Sequence, residues 1–187
     1  DYQYKSFPSI SVDNRNASIE VVQYLMEKGH KRISFLGADR YHPSISERLE
    51  GYQLAMMKDG YNDVSELVFM DEYESPTLQT GYNLAAKFFK SGVKSTAVYC
   101  VNDAMALGFS KYAQQHGHRV VGFDDVDGAK FSSPQLTTVR VYKEQFGELA
   151  LRYLTEILDG SDKGNSKYER GNHTVTVPTE LVIRQSS

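Results

Sequence analysis

Apolar residues along the chain fall into two rhythms that take turns. Short continuous runs of four to seven are separated by longer stretches with apolar positions every three or four residues. The first rhythm marks strands buried on both faces and the second marks amphipathic helices. Residues 7–12 are a β-type run. Asp13-Asn14-Arg15-Asn16 then supplies capping groups, and a helix is predicted to about residue 28 through Ile19, Val22, Leu25 and Met26, with Gly29 beyond its end. Residues 32–36 read as a strand, and 44–58 as a helix with Ile45, Leu49, Tyr52 and Met56 on one stripe. The alternation continues with a strand at 67–70, a helix at 76–90 carrying Leu78, Tyr82, Ala85 and Phe89, and a strand at 95–101. A helix at 103–115 and a strand at 119–123 follow. Strands alternating with helices predict an α/β fold, a doubly wound parallel sheet with helices on both faces. Right-handed crossovers line up the carboxyl ends of those strands along one edge.

The last third changes character. Residues 136–142 are extended, and 143–158 form an amphipathic helix through Phe146, Leu149, Ala150, Tyr153, Leu154 and Ile157. Residues 159–172 are polar and glycine-rich, the composition of a solvated loop. Two short closing strands are expected at 174–177 and 181–183. There is no internal repeat and no heptad array.

Ligands of open α/β sheets bind beyond the carboxyl ends of the strands. Those positions hold Gly37-Ala38-Asp39-Arg40, with Arg48 further on, then Asp71-Glu72, Asn102-Asp103 and Asp124-Asp125. Carboxylates and amides bridge neighbouring hydroxyls, and an arginine offers a planar fork of donors. The set therefore suits a polyhydroxylated ligand. Tyr41, Tyr73 and Phe131 are candidates for an apolar wall. A second reading is open for Asn102, Asp103 and Asp124: Asn and Asp are favoured at such junctions as helix caps and turn residues.

Composition narrows the classes. The formal net charge is −3, and the 21 lysines and arginines are scattered, so this chain by itself lacks the basic face of a duplex-DNA binder. No apolar run is long enough for a membrane helix. The one cysteine, Cys100, allows no intrachain disulfide and no cysteine zinc site, as suits a reducing cytoplasm; it reads as strand packing. No GxSxG, HExxH, P-loop or GxGxxG is present. The histidines His30, His42, His116, His118 and His173 have no metal-ligand spacing, and His30 reads as a partner of helix-terminal carbonyls. No cofactor, metal or catalytic group is expected.

The motifs, taken in order, resemble one family. Gly29-His30-Lys31-Arg32-Ile33 with Phe35-Leu36-Gly37 is similar to the "GH+RI…flG" segment of LacI/GalR-type transcription regulators. Arg48-Leu49-Glu50-Gly51-Tyr52 is similar to their "R..Gy", and Thr96-Ala97-Val98 with Asn102-Asp103-Ala104-Met105-Ala106-Leu107-Gly108 to "TAvf..nD.mAlG". Val121-Gly122-Phe123-Asp124-Asp125 resembles "vGFDd", Leu136-Thr137-Thr138-Val139 resembles "pLTTv", and Pro178 with Leu181-Val182-Ile183-Arg184-Gln185-Ser186 resembles "P.Lv.R.S". Each match is weak alone, but together they cover nearly the whole chain.

The resemblance implies a type I periplasmic-binding-protein-like fold, one lobe essentially complete and the other partial. Residues 1–30 would be a remnant of the N-terminal lobe and a crossover, 31–135 the C-terminal lobe, and 136–187 a crossover segment, helix and closing strands. It implies effector contacts from Arg48, Asn102 and Asp124, with Asp13 reaching in from the other lobe. His42 and Ser44 would be specificity positions, as would Tyr73 or its neighbour Glu72. It also implies a sugar-like effector, a homodimer using Phe131 and outward apolar positions of the 76–90 and 103–115 helices, and operator DNA held by a headpiece outside this chain. One departure stands out. The family's "G..vP.D..v" is longer by roughly half a dozen residues than Gly117-His118-Arg119-Val120, against a usual αβ loop of about two to six. This is read as a stretch left out of the chain rather than a true deletion.

Three functions compete. The first is an allosteric sensor, in which ligand biases two lobe arrangements by its differential affinity. The second, sharing the fold, is an extracytoplasmic sugar-binding protein of a transporter; an upstream signal peptide would favour it, and an upstream helix-turn-helix would end it. The third is an enzyme acting through Asp124 and Asp125, which predicts divalent-metal binding and turnover.

Overall fold

The computed structural model describes residues 9–113, 116–158 and 174–187. Helices and strands alternate in the predicted order: β1 Ser9–Val12, α1 Asn14–Glu27, β2 Ile33–Ala38, α2 Pro43–Lys58, β3 Val68–Asp71, α3 Leu78–Ser91, β4 Ala97–Cys100, α4 Asp103–Ala113 and β5 Arg119–Asp124. A short helix, α5 Asp127–Phe131, precedes β6 Thr137–Val141, α6 Lys143–Leu158, β7 Thr174–Val177 and β8 Thr179–Val182. Helix α5 was not expected; five residues are too few to show a period. The polar stretch at 159–172 lies outside the described residues, as do 114–115 at the end of the predicted 103–115 helix.

The chain folds into two compact units. Residues 1–13 and 141–179 make the smaller, and 14–140 with 180–187 make the larger. This division differs from the expected 1–30, 31–135 and 136–187. Helix α1 belongs with the larger unit because Ala17, Val21, Val22 and Leu25 are buried there as it packs on α2. In the smaller unit, β1 pairs in parallel with β7, Ser9 opposite Thr174 through Val12 opposite Val177.

The larger unit holds a six-stranded sheet in the order β3-β2-β4-β5-β6-β8. The pairs β3-β2, β2-β4, β4-β5 and β5-β6 are all parallel. Every residue of β2 and β4 is buried, as befits central strands covered on both faces. Alternate side chains divide between those faces. Phe35 and Tyr99 meet Tyr52 of α2 and Ser18 of α1, where the Tyr99 hydroxyl lies 2.7 Å from Ser18 Oγ. Phe88 of α3 packs instead on Phe69 and Phe109. Cys100 is buried in β4, and burial, with Asp103 adding to it, pushes its thiol far above the ordinary range. His30 pairs with a side chain rather than a helix-terminal carbonyl: its Nδ1 lies 2.8 Å from Thr96 Oγ1.

Helices α3 and α4 touch backbone to backbone. A Cβ on Gly81 would overlap the carbonyl of Met105, and one on Gly108 would overlap the carbonyl of Leu78. The seam therefore runs along the small residues of α3, and Thr80, Gly81, Leu84, Ala85 and Phe88 are buried. Of the predicted stripe of Leu78, Tyr82, Ala85 and Phe89, Ala85 is buried and Phe89 stacks on Phe109 and Tyr112 of α4, whereas Leu78 and Tyr82 are exposed. Close helix approach at Gly81 and Gly108 sets which turn of α3 faces inward, and it leaves Leu78 and Tyr82 outside.

Candidate functional site

Going outward from β2, the chain steps first to β3 and then to β4 on the opposite side. The crevice beyond the carboxyl ends of β2 and β4 is therefore the topological switch point, the favoured ligand position of such sheets. Arg48, from the second turn of α2, is directed there. Its Nη1 donates to the Val101 carbonyl at 2.7 Å, just past β4, and its Nε donates to Asn14 Oδ1 at 2.9 Å. The guanidinium carbon stands 3.6 Å from the centre of the Phe123 ring, a cation–π contact. Nη2 lies 3.7 Å from Asp124 Oδ1. The Arg48 side chain is 12% exposed and that of Asp124 is 32% exposed, so the pair is shielded but reachable.

Asp124 holds φ 108 and Asp125 φ 49. An L residue adopts such angles at a cost, and they recur where a site needs a side chain aimed. Two anchors hold this turn. Asp103 is fully buried at the start of α4; its Oδ2 accepts from the Val126 amide at 2.8 Å and its Oδ1 from the Thr138 hydroxyl at 2.5 Å. Gly122 leaves room for that carboxylate, since a Cβ there would overlap Asp103 Oδ1. The second anchor is Asp125, whose Oδ1 accepts from Arg184 Nη2 at 2.5 Å and whose Oδ2 accepts from Arg140 Nε at 2.7 Å.

Burial pushes the Asp103 carboxyl up to about 7, with the Asp124 and Asp125 charges adding and the bonds from Thr138 and Val126 opposing. Burial also pushes Asp125 upward, but the bonds and charges of Arg140 and Arg184 outweigh it and hold its carboxyl below the ordinary range. The two acids therefore act in different pH windows. Asp103 takes up its proton more readily folded than unfolded. Its contribution to stability is complete below its unfolded pKa near 4 and is lost as pH rises through about 7. Asp125 stabilises above its unfolded pKa and loses that contribution in more acid solution. Asp103→Asn should flatten the stability–pH curve between about pH 4 and 7, as read by urea midpoints across that range. An unchanged slope would contradict this account.

Arg48 and Asp124, two of the residues singled out in the sequence, are brought together. Asn102 follows β4, and here the cap reading is realised: its Oδ1 accepts from the Met105 amide at 2.9 Å and its Nδ2 donates to the Pro76 carbonyl at 2.8 Å. One amide hydrogen and one lone pair remain for another partner. His42 is the residue before α2 and makes no side-chain cap bond. Ser44 lies one helical turn before Arg48, hence on the same face. Tyr73 follows β3 and is 87% exposed, as Tyr41 (71%) and Phe131 (86%) also are. Asp13 stands at the end of β1 in the other unit and is exposed. The remaining strand-end acids have structural partners: Asp71 pairs with Lys87 at 3.5 Å, and Glu72 with Arg40 at 3.2 Å.

Sequence reasoning missed Asn14, Phe123, Arg140 and Arg184 as parts of this region. Asn14 was visible only as a capping residue and Phe123 only as core. Arg184 and Ser186 lay in the terminal motif, where spacing alone did not show what they grip. Ser186 Oγ donates to the Val120 carbonyl at 2.6 Å and accepts from the Thr137 amide at 2.8 Å. Among the described residues no cluster of three or more histidine, cysteine or acidic side chains is arranged to hold a metal, and no helix is long and apolar enough to cross a membrane.

The family model of the periplasmic binding protein-like domain matches residues 22–187. The chain is 32% identical over 170 residues to the HTH-type transcriptional repressor PurR of Mannheimia succiniciproducens, covering 88% of this chain and 48% of that protein. It is 28% identical over 186 residues to the HTH-type transcriptional repressor CytR of Escherichia coli K12, covering 96% and 52%. It thus spans about half the length of these curated relatives. Among solved structures, a sugar-binding LacI-family transcriptional regulator from Escherichia coli, complexed with phosphate, superimposes with a TM-score of 0.80 at 27% identity, over 96% of this chain and 63% of that one. These relatives are transcriptional regulators rather than enzymes or transporter components. The chain belongs to the periplasmic binding protein-like domain family, in the form found in LacI/GalR-type regulators.

Proposed function

We propose that this chain is the effector-sensing part of a cytoplasmic transcription regulator, that its effector is a sugar or sugar derivative, and that the full protein reads operator DNA through a domain outside these residues. The observation that carries the proposal is the Arg48–Asp124 pair at the switch point, its arginine seated on Phe123 and its acid held at φ 108. A cation and an anion side by side suit adjacent hydroxyls better than an apolar ligand. Asn102 adds its unused hydrogen and lone pair. His42, Ser44 and Tyr73 are proposed to set the site's selectivity. The proposal includes a homodimer, with Phe131, Leu78 and Tyr82 as exposed apolar contacts.

The test is a thermal-shift screen of the full-length gene product against neutral and phosphorylated sugars, repeated on Asp124→Ala. A ligand that binds the folded state alone adds about 2.7 kcal/mol at a hundredfold excess over its Kd. At least one sugar is expected to raise Tm in the wild type and not in the variant. A nucleobase or amino acid raising Tm where every sugar fails would retire the sugar assignment.

A further inference from the structure

We propose that Asn14 is a positioning residue for Arg48: its side-chain amide, itself oriented by Glu47, fixes the plane in which the guanidinium is presented. The inference rests on the reading of Arg48 as an effector contact for its functional meaning, but its geometry stands independently.

Arg48 is a long side chain, and its use depends on how its planar fork is turned. Beside the Asp124 pair, the Phe123 face and the Val101 carbonyl hold the fork from β5 and from the residue just past β4. Neither holds Nε, about which the plane would otherwise pivot. Asn14 Oδ1 does so at 2.9 Å. An asparagine could equally offer its nitrogen, which would repel the Nε–H. Here Asn14 Nδ2 donates to Glu47 Oε2 at 2.9 Å, so the oxygen is left facing Arg48. Glu47 is the residue next to Arg48 on α2, so the same turn of helix that supplies the guanidinium also supplies the acid that orients its holder. Asn14 is 3% exposed, so water competes weakly for these bonds. Its position in the chain adds meaning: it is the first residue of the larger unit after the crossing from residue 13. The proposal therefore places the effector-facing arginine under the control of a residue at a unit boundary.

The test needs no ligand. In the 15N-labelled full-length protein, the Arg48 Nε–H signal is identified by its absence in Arg48→Lys, and its exchange with solvent is timed. Arg140 Nε–H, bonded to Asp125 Oδ2 at 2.7 Å, is the internal control. Asn14→Ala should speed exchange at Arg48 about tenfold, the loss of one charge-assisted hydrogen bond, and leave Arg140 unchanged. If Asn14→Ala disturbs Arg140 as well, the variant has loosened the whole unit. The decision then passes to Glu47→Ala, which leaves Asn14 and Arg48 in place and should speed exchange at Arg48 alone. Exchange at Arg48 as slow as in the wild type, in either variant with Arg140 protected, overturns the proposal. Accelerated exchange in a protein that responds to no sugar would leave the positioning role standing and remove the effector reading instead.

Discussion

Asp125→Ala is expected to lower the stability of the larger unit by about 3–5 kcal/mol, the cost of removing one partner from a buried ion pair. The Asp125 side chain is 3% exposed and lies between two guanidiniums, one of which, on Arg184, is itself 10% exposed. Taking the carboxylate away leaves that second charge bonded to the Leu136 carbonyl alone of the two partners it holds here. Arg140 suffers less, because Glu180 Oε2 lies 3.0 Å from its Nη1 in a more open position. Urea unfolding followed by circular dichroism measures the loss. The same variant should expose residues 183–187 to protease before the rest of the unit, because Arg184 and Ser186 are what clasp that segment to β5 and β6. A stability change below about 1 kcal/mol would mean that the cluster behaves like a surface pair and that the clasp is held elsewhere.

Gly108→Ala is the second large effect. The added methyl has no pocket to enter, because what faces it is the backbone of α3, the Leu78 carbonyl and the Tyr82 nitrogen. A flexible side chain could turn aside, whereas two helices must separate along the whole seam. Overpacking of this kind costs typically about 1–3 kcal/mol and sometimes more, and here the upper part of that range is expected. The outward position Tyr82→Ala, on the same helix, should cost much less. Comparing thermal midpoints of the two variants separates backbone contact from lost apolar area. Equal losses would show that the seam can breathe and that the glycines are not what sets its spacing.

Periodicity carried most of the architecture because the larger unit is built from regular elements that each bury one face. The parallel sheet and the strand-end location of Asp124 followed from it directly, as did the place of Arg48 near the start of a helix. The errors have specific causes. The α3 stripe was partly misplaced because Leu78 and Tyr82 were taken as inward on their apolar bulk, while the inward face combines Leu84 and Phe88 with the small Gly81 and Ala85 that let α4 approach. The family resemblance drew a boundary at residue 30, whereas α1 buries Ala17, Val21, Val22 and Leu25 within the larger unit, a packing that no local pattern of the helix announces. Asn102 and Asp103 carried two readings that composition could not separate, and for both the geometry shows structural bonds. The clasp around Asp125 joins it to Arg140, 15 positions away, and to Arg184, 59 positions away, and pairings at that range leave no local pattern to read.

The smaller unit's residues 141–179 enter and leave the larger one between Arg140 and Glu180, whose side chains are already joined by an ion pair at 3.0 Å. In topological terms the larger unit is one continuous α/β domain with a long insertion at a single point. A short turn in place of residues 141–179 would close it without disturbing a strand of β3, β2, β4 or β5, since domains accept insertions and excisions where the two ends already meet. The molecule can thus be taken apart along its own seams, and the half that carries Arg48, Asn14 and Asp124 studied as a single domain.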